Sequence, residues 1–150
     1  MNKRIPRKKC INCGHEPERP EYKYCSNKCQ IEFQHKKYIE KWKSGEVTGL
    51  QRLGVVSHYI KNYLREKFGN KCCLCGWNEI NVKIGYSPLV ADHIDGNWRN
   101  NVESNLRLIC PNCDSLTSTY AGLNRGNGRK HRVLSNRVKE ARNLTKNKPD

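Results

Sequence analysis

Cys72-Cys73-Leu74-Cys75 and Cys110-Pro111-Asn112-Cys113-Asp114 bracket Asp92-His93-Ile94-Asp95-Gly96-Asn97 and Asn105-Leu106-Arg107-Leu108-Ile109. This bracketed run decides the reading of the chain. Two C-x2-C pairs offer four soft thiolates, which suit one tetrahedral structural zinc ion. The polar residues left over are Asp92, His93, Asn105 and Asp114. Two carboxylates, an imidazole and an amide are the parts of a hard-metal site with a general base. In a small basic protein that combination points to cleavage of nucleic acid.

Composition agrees. Lys and Arg total 29 against 14 Asp and Glu in 150 residues, a formal charge of +15. Two Zn(Cys)4 centres at −2 each would bring that to about +11, still a strong polyanion signal. A basic surface kept only for solubility is the plainer alternative. Apolar residues make up 35% and mean hydropathy is −0.93. A core so small is hard to stabilise alone, and metals are a usual remedy. Met1-Asn2-Lys3-Arg4 opens a basic stretch with no apolar run behind it, and no membrane-spanning run follows. The expected setting is the cytoplasm, where paired cysteines signal metal rather than disulfides.

Four segments are expected: a zinc module over 1–45, a linker over 46–56, a catalytic core over 57–123 and a basic arm over 124–150. In the first, Cys10-x2-Cys13 precedes Cys25-x3-Cys29. Ser26 can cap a helix whose inward stripe is Ile31, Tyr38, Ile39 and Trp42, with His35 half-buried on it. Gly45, Gly49 and Gly54 punctuate the linker. A second helix, Ser57 to Phe68, carries Ile60, Tyr63, Leu64 and Phe68 on one face; it reads as scaffold, with DNA contact through Lys61 and Arg65 the alternative. Strands are expected at Leu89-Val90-Ala91, ending at Asp92-His93, and at Leu106 to Ile109, followed by a helix from Cys113 to Tyr120. The arm holds nine Lys or Arg against two acids. Arg125, Arg129, Lys130 and Arg132 are its candidate DNA contacts, with a possible helix from Val133 to Leu144.

Eight of the nine cysteines fall into two sets of four: Cys10, Cys13, Cys25 and Cys29, and Cys72, Cys75, Cys110 and Cys113. Each set predicts one structural Zn2+. Cys73 is the odd one, because Cys73-x-Cys75 is too tight for a knuckle. His15 could replace a cysteine, but its set is already complete.

The segment over about residues 57–130 resembles the HNH family of endonucleases, and most of all a zinc-stapled phage branch of homing-endonuclease type. The motifs that carry the resemblance are the Cys72 to Trp77 knuckle, the Asp92 to Asn97 loop and the Cys110 to Cys113 turn. It implies a small α+β, zinc-stabilised fold with a ββα-metal, treble-clef-like core. The family's three letters fall on His93, Asn105 and position 114, which is Asp114 here rather than histidine; the eight-residue spacing is kept. Since the family's last residue ligates metal, Asp92 and Asp114 would hold the ion, and two carboxylates favour Mg2+ or Mn2+. His93 would take a proton from the attacking water. Asn105 would brace the loop and help orient it. Arg107 or Arg99 would steady the scissile phosphate. The implied reaction is hydrolysis of double-stranded DNA to a 5′ phosphate and a 3′ hydroxyl, as a nick or a double-strand break, by a monomer or a homodimer.

Two other classes compete. A non-catalytic zinc DNA-binding protein accounts for the charge and cysteines but has no need of Asp92-His93, Asn105 and Asp114. An RNA-binding zinc protein fits the charge equally, yet the aromatic residues sit mostly at helix-stripe or knuckle positions rather than in an exposed stacking cluster.

Overall fold

The computed structural model describes residues 8–51 and 54–126. Arg129, Lys130, Arg132 and the possible helix over 133–144 lie outside the described residues. The chain divides into two compact units, with the break between Glu46 and Val47.

The first unit is a knuckle followed by a helix. Cys10 N–H donates to the His15 carbonyl at 2.8 Å, and Gly14 N–H to the Cys10 carbonyl at 2.9 Å. Helix α1, Asn27–Lys43, starts at Ser26, whose Oγ accepts the Cys29 N–H at 3.2 Å. That bond satisfies one of the donors a helix leaves open at its start. Ile39 and Trp42 are buried, as the stripe predicts. Ile31 is not: it is 62% exposed. At this end the inward face is set by Cys29, which turns to the sulfur cluster, and by Glu32, which accepts from Asn12 Nδ2 at 2.9 Å. Ile31 projects about 200° around the helix from Cys29.

The second unit begins within the stretch expected to be a linker. Leu50 bridges Val56, Ser57 N–H donates to Gly49 O at 2.9 Å, and Val56 is buried. Gly54 lies against Trp98: a Cβ there would sit 2.5 Å from the ring, at φ +69°, so only glycine fits. Helix α2, His58–Lys67, is capped by the Ser57 hydroxyl, which accepts the Tyr59 N–H. It packs on the following sheet, and Ile60 and Leu64 are fully buried. Glu103 clasps the helix from outside, accepting from Tyr63 OH and from Lys67 Nζ at 2.6 Å. Arg65 donates to the Ser87 carbonyl at 3.2 Å and lies over the Tyr86 ring. Those contacts give it a structural role.

Strands β1, Val90–His93, and β2, Leu106–Ile109, form an antiparallel pair with Asp92 opposite Arg107 and His93 opposite Leu106. Helix α3, Pro111–Ser115, packs on β1. It starts two residues before the expected Cys113 and stops well short of Tyr120. Cys110 Sγ caps it by accepting the Cys113 N–H, and Pro111 occupies the first turn. Thr117 then donates both its N–H and its hydroxyl to the Asp114 carbonyl, closing the last turn tightly.

Both cysteine sets are gathered, each with its sulfurs within 4.8 Å of one another. In the first, Cys13, Cys25 and Cys29 are separated by 3.4 to 3.6 Å; in the second, Cys75 and Cys110 by 3.7 Å. Four sulfurs around one zinc ion stand about 3.8 Å apart, given Zn–S bonds of ~2.3 Å. The donor set therefore fits. The Cys72 knuckle repeats the Cys10 one, with Cys72 N–H on Trp77 O and Gly76 N–H on Cys72 O. Burial pushes the Cys10 and Cys72 thiols up, but surrounding backbone amides outweigh it and hold each at about 6. Cys25, crowded by Cys29 and Cys13, and Cys113, crowded by Cys75 and Cys110, are pushed up to about 12. A dication would ease the conflict within each set by ligating all four sulfurs and offsetting two of their four negative charges.

Elemental analysis should find two zinc ions per chain, Cys72→Ser should lose one, and Cys73→Ser should keep both. Leu64→Ala should cost about 2–5 kcal/mol in denaturant unfolding, whereas Ile31→Ala should change stability by less than ~0.5 kcal/mol.

Candidate active site at the hairpin loop

The site is built where β1 runs into the 94–105 loop. Asp92 and Arg107 face each other across the strands, and Arg107 Nε donates to Asp92 Oδ2 at 2.7 Å in a largely buried ion pair. A carboxylate has about four lone-pair positions. One guanidinium contact therefore leaves Asp92 able to bind a cation. Helix α3, which packs on β1, brings Asp114 near enough to Asp92 for their charges to interact. Burial raises the Asp114 carboxyl above its ordinary range and the nearby Asp92 charge raises it further, with Arg107 a partial offset. Arg107 thus pairs with Asp92 and only partly offsets the effect on Asp114. Oxygen donors with an uncompensated negative charge fit a hard divalent ion.

His93 is the last residue of β1, and its Nε2 lies 2.8 Å from Asn101 Oδ1. Asn101 is only 3% exposed. Sequence reading places it merely in a polar loop beside Asn100. Its burial is what marks it, because a buried amide needs partners, and burial is not visible in the Asn100-Asn101 pair.

Asn105 is also buried. Its Nδ2 donates to Asp95 Oδ1 and to Asn100 O, both at 2.8 Å, and its Oδ1 accepts the Asp95 N–H at 3.1 Å. Its carbonyl accepts the Ile94 N–H. Among the described residues its side chain braces the loop and leaves the direct contact with His93 to Asn101. Asp95 takes further bonds from Asn100 Nδ2 at 2.7 Å and Asn97 N–H at 2.8 Å. The Asn100 bond, chief among these, holds its carboxyl below the usual range. Asp95 is thereby built into the turn.

The loop is closed from outside by Asn124, whose Nδ2 donates to Gly96 O at 2.8 Å. Gly96 has φ +71°, and a Cβ there would come within 2.6 Å of Asn124 Oδ1 and 2.8 Å of Thr119 Cγ2. Asn124, assigned to the basic arm by sequence, is thus bound to the site loop. Of the cationic candidates, Arg107 lies in the site, Arg99 stacks over Trp98 at 5.0 Å, and Arg125 is exposed beside the latch. No helix among the described residues is long and apolar enough to cross a membrane.

No family model and no solved structure matches the chain. Among curated proteins, the H-N-H endonuclease F-TflIV of Escherichia phage T5 is 35% identical over 97 residues. The alignment covers 61% of this chain and 40% of that relative, so the chain spans well under half of the relative's length. The resemblance to HNH endonucleases carried by the bracketed motifs is therefore matched by a homologue of that name, and over the aligned part the chain is related to a phage H-N-H endonuclease.

Proposed function

We propose that the protein is a divalent-metal-dependent HNH endonuclease that hydrolyses phosphodiester bonds of double-stranded DNA, with a ββα-metal core and two structural zinc ions. The observation that carries the reading is Asp92, ion-paired to Arg107 and close enough to Asp114 for their charges to interact, next in sequence to a histidine that a buried amide holds by one ring nitrogen. A purely structural zinc module has no use for that arrangement. The phage relative supports the same class and a phage setting, and a homing role is part of this reading on the motif resemblance alone.

Asp92 and Asp114 would hold Mg2+ or Mn2+. When bound, that ion supplies Lewis-acid stabilisation of charge growing on the phosphate and on the departing 3′ oxygen. His93 takes the proton of the attacking water as general base, leaving a 5′ phosphate and a 3′ hydroxyl. Arg107 restrains Asp92 and adds a positive charge beside the scissile phosphate. Asn105 keeps the loop that follows His93 from moving. The formal +15 of the chain draws the polyanion in, with Arg125, Arg129, Lys130 and Arg132 as phosphate contacts.

His93→Ala should retain DNA binding and both zinc ions yet lose cleavage by at least ~10²-fold; near-normal cutting of supercoiled plasmid by the variant would refute the role. Removing 127–150 spares the Asn124 latch. It should weaken DNA binding and flatten its dependence on salt, since phosphate contacts set that slope. Fluorescence anisotropy across a salt series measures this directly, and an unchanged slope would mean that the arm touches no phosphate.

A further inference from the structure

We infer that Asn101 is a positioning residue that fixes His93 in the Nε2–H tautomer and so presents Nδ1 as the proton acceptor. The inference rests on the nuclease reading and specifies which nitrogen of that site does the work.

The orientation of the Asn101 amide is decided by its other neighbours. Its Nδ2 lies 3.3 Å from the Trp98 carbonyl and 3.2 Å from the Arg99 carbonyl. Carbonyl oxygens only accept, so the group facing them must be the –NH2. Turning the amide over would set Oδ1 against two carbonyl oxygens in a side chain only 3% exposed, where water cannot relieve the repulsion. Oδ1 therefore faces His93, at 2.8 Å from Nε2. An amide oxygen has no hydrogen to give, so Nε2 must carry the hydrogen in this bond. In a neutral imidazole one nitrogen donates and the other accepts. The lone pair is thereby left on Nδ1.

The carbonyls that orient Asn101 belong to the same loop that Asn105, Asp95 and Asn124 hold in place. The tautomer is thus set by the loop as a unit. In the reaction, the Nδ1 lone pair forms the new N–H bond while the water O–H bond breaks. The oxygen uses that electron pair to form the P–O bond as the bond to the 3′ oxygen breaks, and the 3′ oxygen leaves with the bonding pair and takes a proton from solvent water. The Nε2–H remains on Asn101 Oδ1 throughout, spreading the charge the ring acquires.

The test is long-range 1H–15N correlation NMR of uniformly 15N-labelled, zinc-loaded full-length protein at about pH 8.5, where an ordinary imidazole is neutral. His93 is assigned by comparison with His93→Gln. The expected result is the Nε2–H pattern for His93 in the wild type. In Asn101→Ala the pattern should shift towards a mixture of tautomers, with turnover at saturating DNA and Mg2+ falling about tenfold or more, by analogy with loss of the partner that orients a metal-ligating histidine. An Nδ1–H pattern in a wild-type protein that cuts DNA would overturn this inference and leave the nuclease reading standing. The Nε2–H pattern in a protein that cuts no DNA would reject the nuclease reading, and the role of Asn101 with it. Asn101→Ala that keeps the Nε2–H pattern and full turnover would overturn the inference by itself, and the wild-type spectrum decides the matter should that variant fail to fold.

Discussion

The Cys72, Cys75, Cys110 and Cys113 sulfur cluster is the constraint on which the rest of the second unit depends. It joins a knuckle ahead of the hairpin to the point where β2 becomes α3, so the end of β2 is fixed in space. The Cys73 N–H reinforces the link by donating to the Leu108 carbonyl at 2.9 Å. A two-stranded sheet is marginal by itself, and a slip of one residue would turn every side chain to the other face. Asp92 would then lose Arg107. The cluster and the buried Ile60, Leu64, Leu108 and Ile109 hold the register that sets Asp92 opposite Arg107. In a chain with so little apolar material, zinc held by these sulfurs would do part of the work that a larger core does elsewhere.

Given that frame, the polar residues divide into two groups. Asp92, Asp114 and Arg107 form the charged part, two acids to one base, and burial, with the Asp92 charge second, raises the Asp114 carboxyl. The 94–105 loop forms the neutral part, where Asn100, Asn101 and Asn105 bind the backbone and one another's partners. Side-chain amides suit this task because each both donates and accepts, which lets a loop without regular structure satisfy its own backbone. His93 stands at the junction of the two.

Much of this was legible in sequence, for reasons that differ by element. The second strand, Leu106–Ile109, was bounded correctly because Cys110-Pro111 ends it chemically as well as by pattern. Both cysteine sets assembled as their spacing implies, since a C-x2-C knuckle is local geometry. The Ser26 cap was read from residue type alone, whereas Ser57, expected as the first residue of the second helix, is its cap. Four features escaped. Ile31 lies on the apolar stripe yet is exposed, because helical periodicity does not say where along a helix its partner ends. Helix α3 is shorter than its sequence suggests, because Thr117 competes for the Asp114 carbonyl through its side chain. Asn101 looked like one more loop asparagine, because its importance lies in burial and in two carbonyls that only the folded loop brings to it. Asn124 escaped for the same reason, as its partner Gly96 is 28 residues away.

The central claim is that a zinc-stapled hairpin carries a separate, hard-cation catalytic site. It is tested most directly by conversion of supercoiled plasmid and of phage genomic DNA in metal-depleted buffer, with Mg2+ or Mn2+ added back and zinc content measured in the same samples. The account predicts no cleavage before the addition and cleavage after it, with two zinc ions per chain throughout. Cleavage that tracks zinc content and ignores Mg2+ and Mn2+, or DNA that is bound but left intact at every metal concentration, would contradict it.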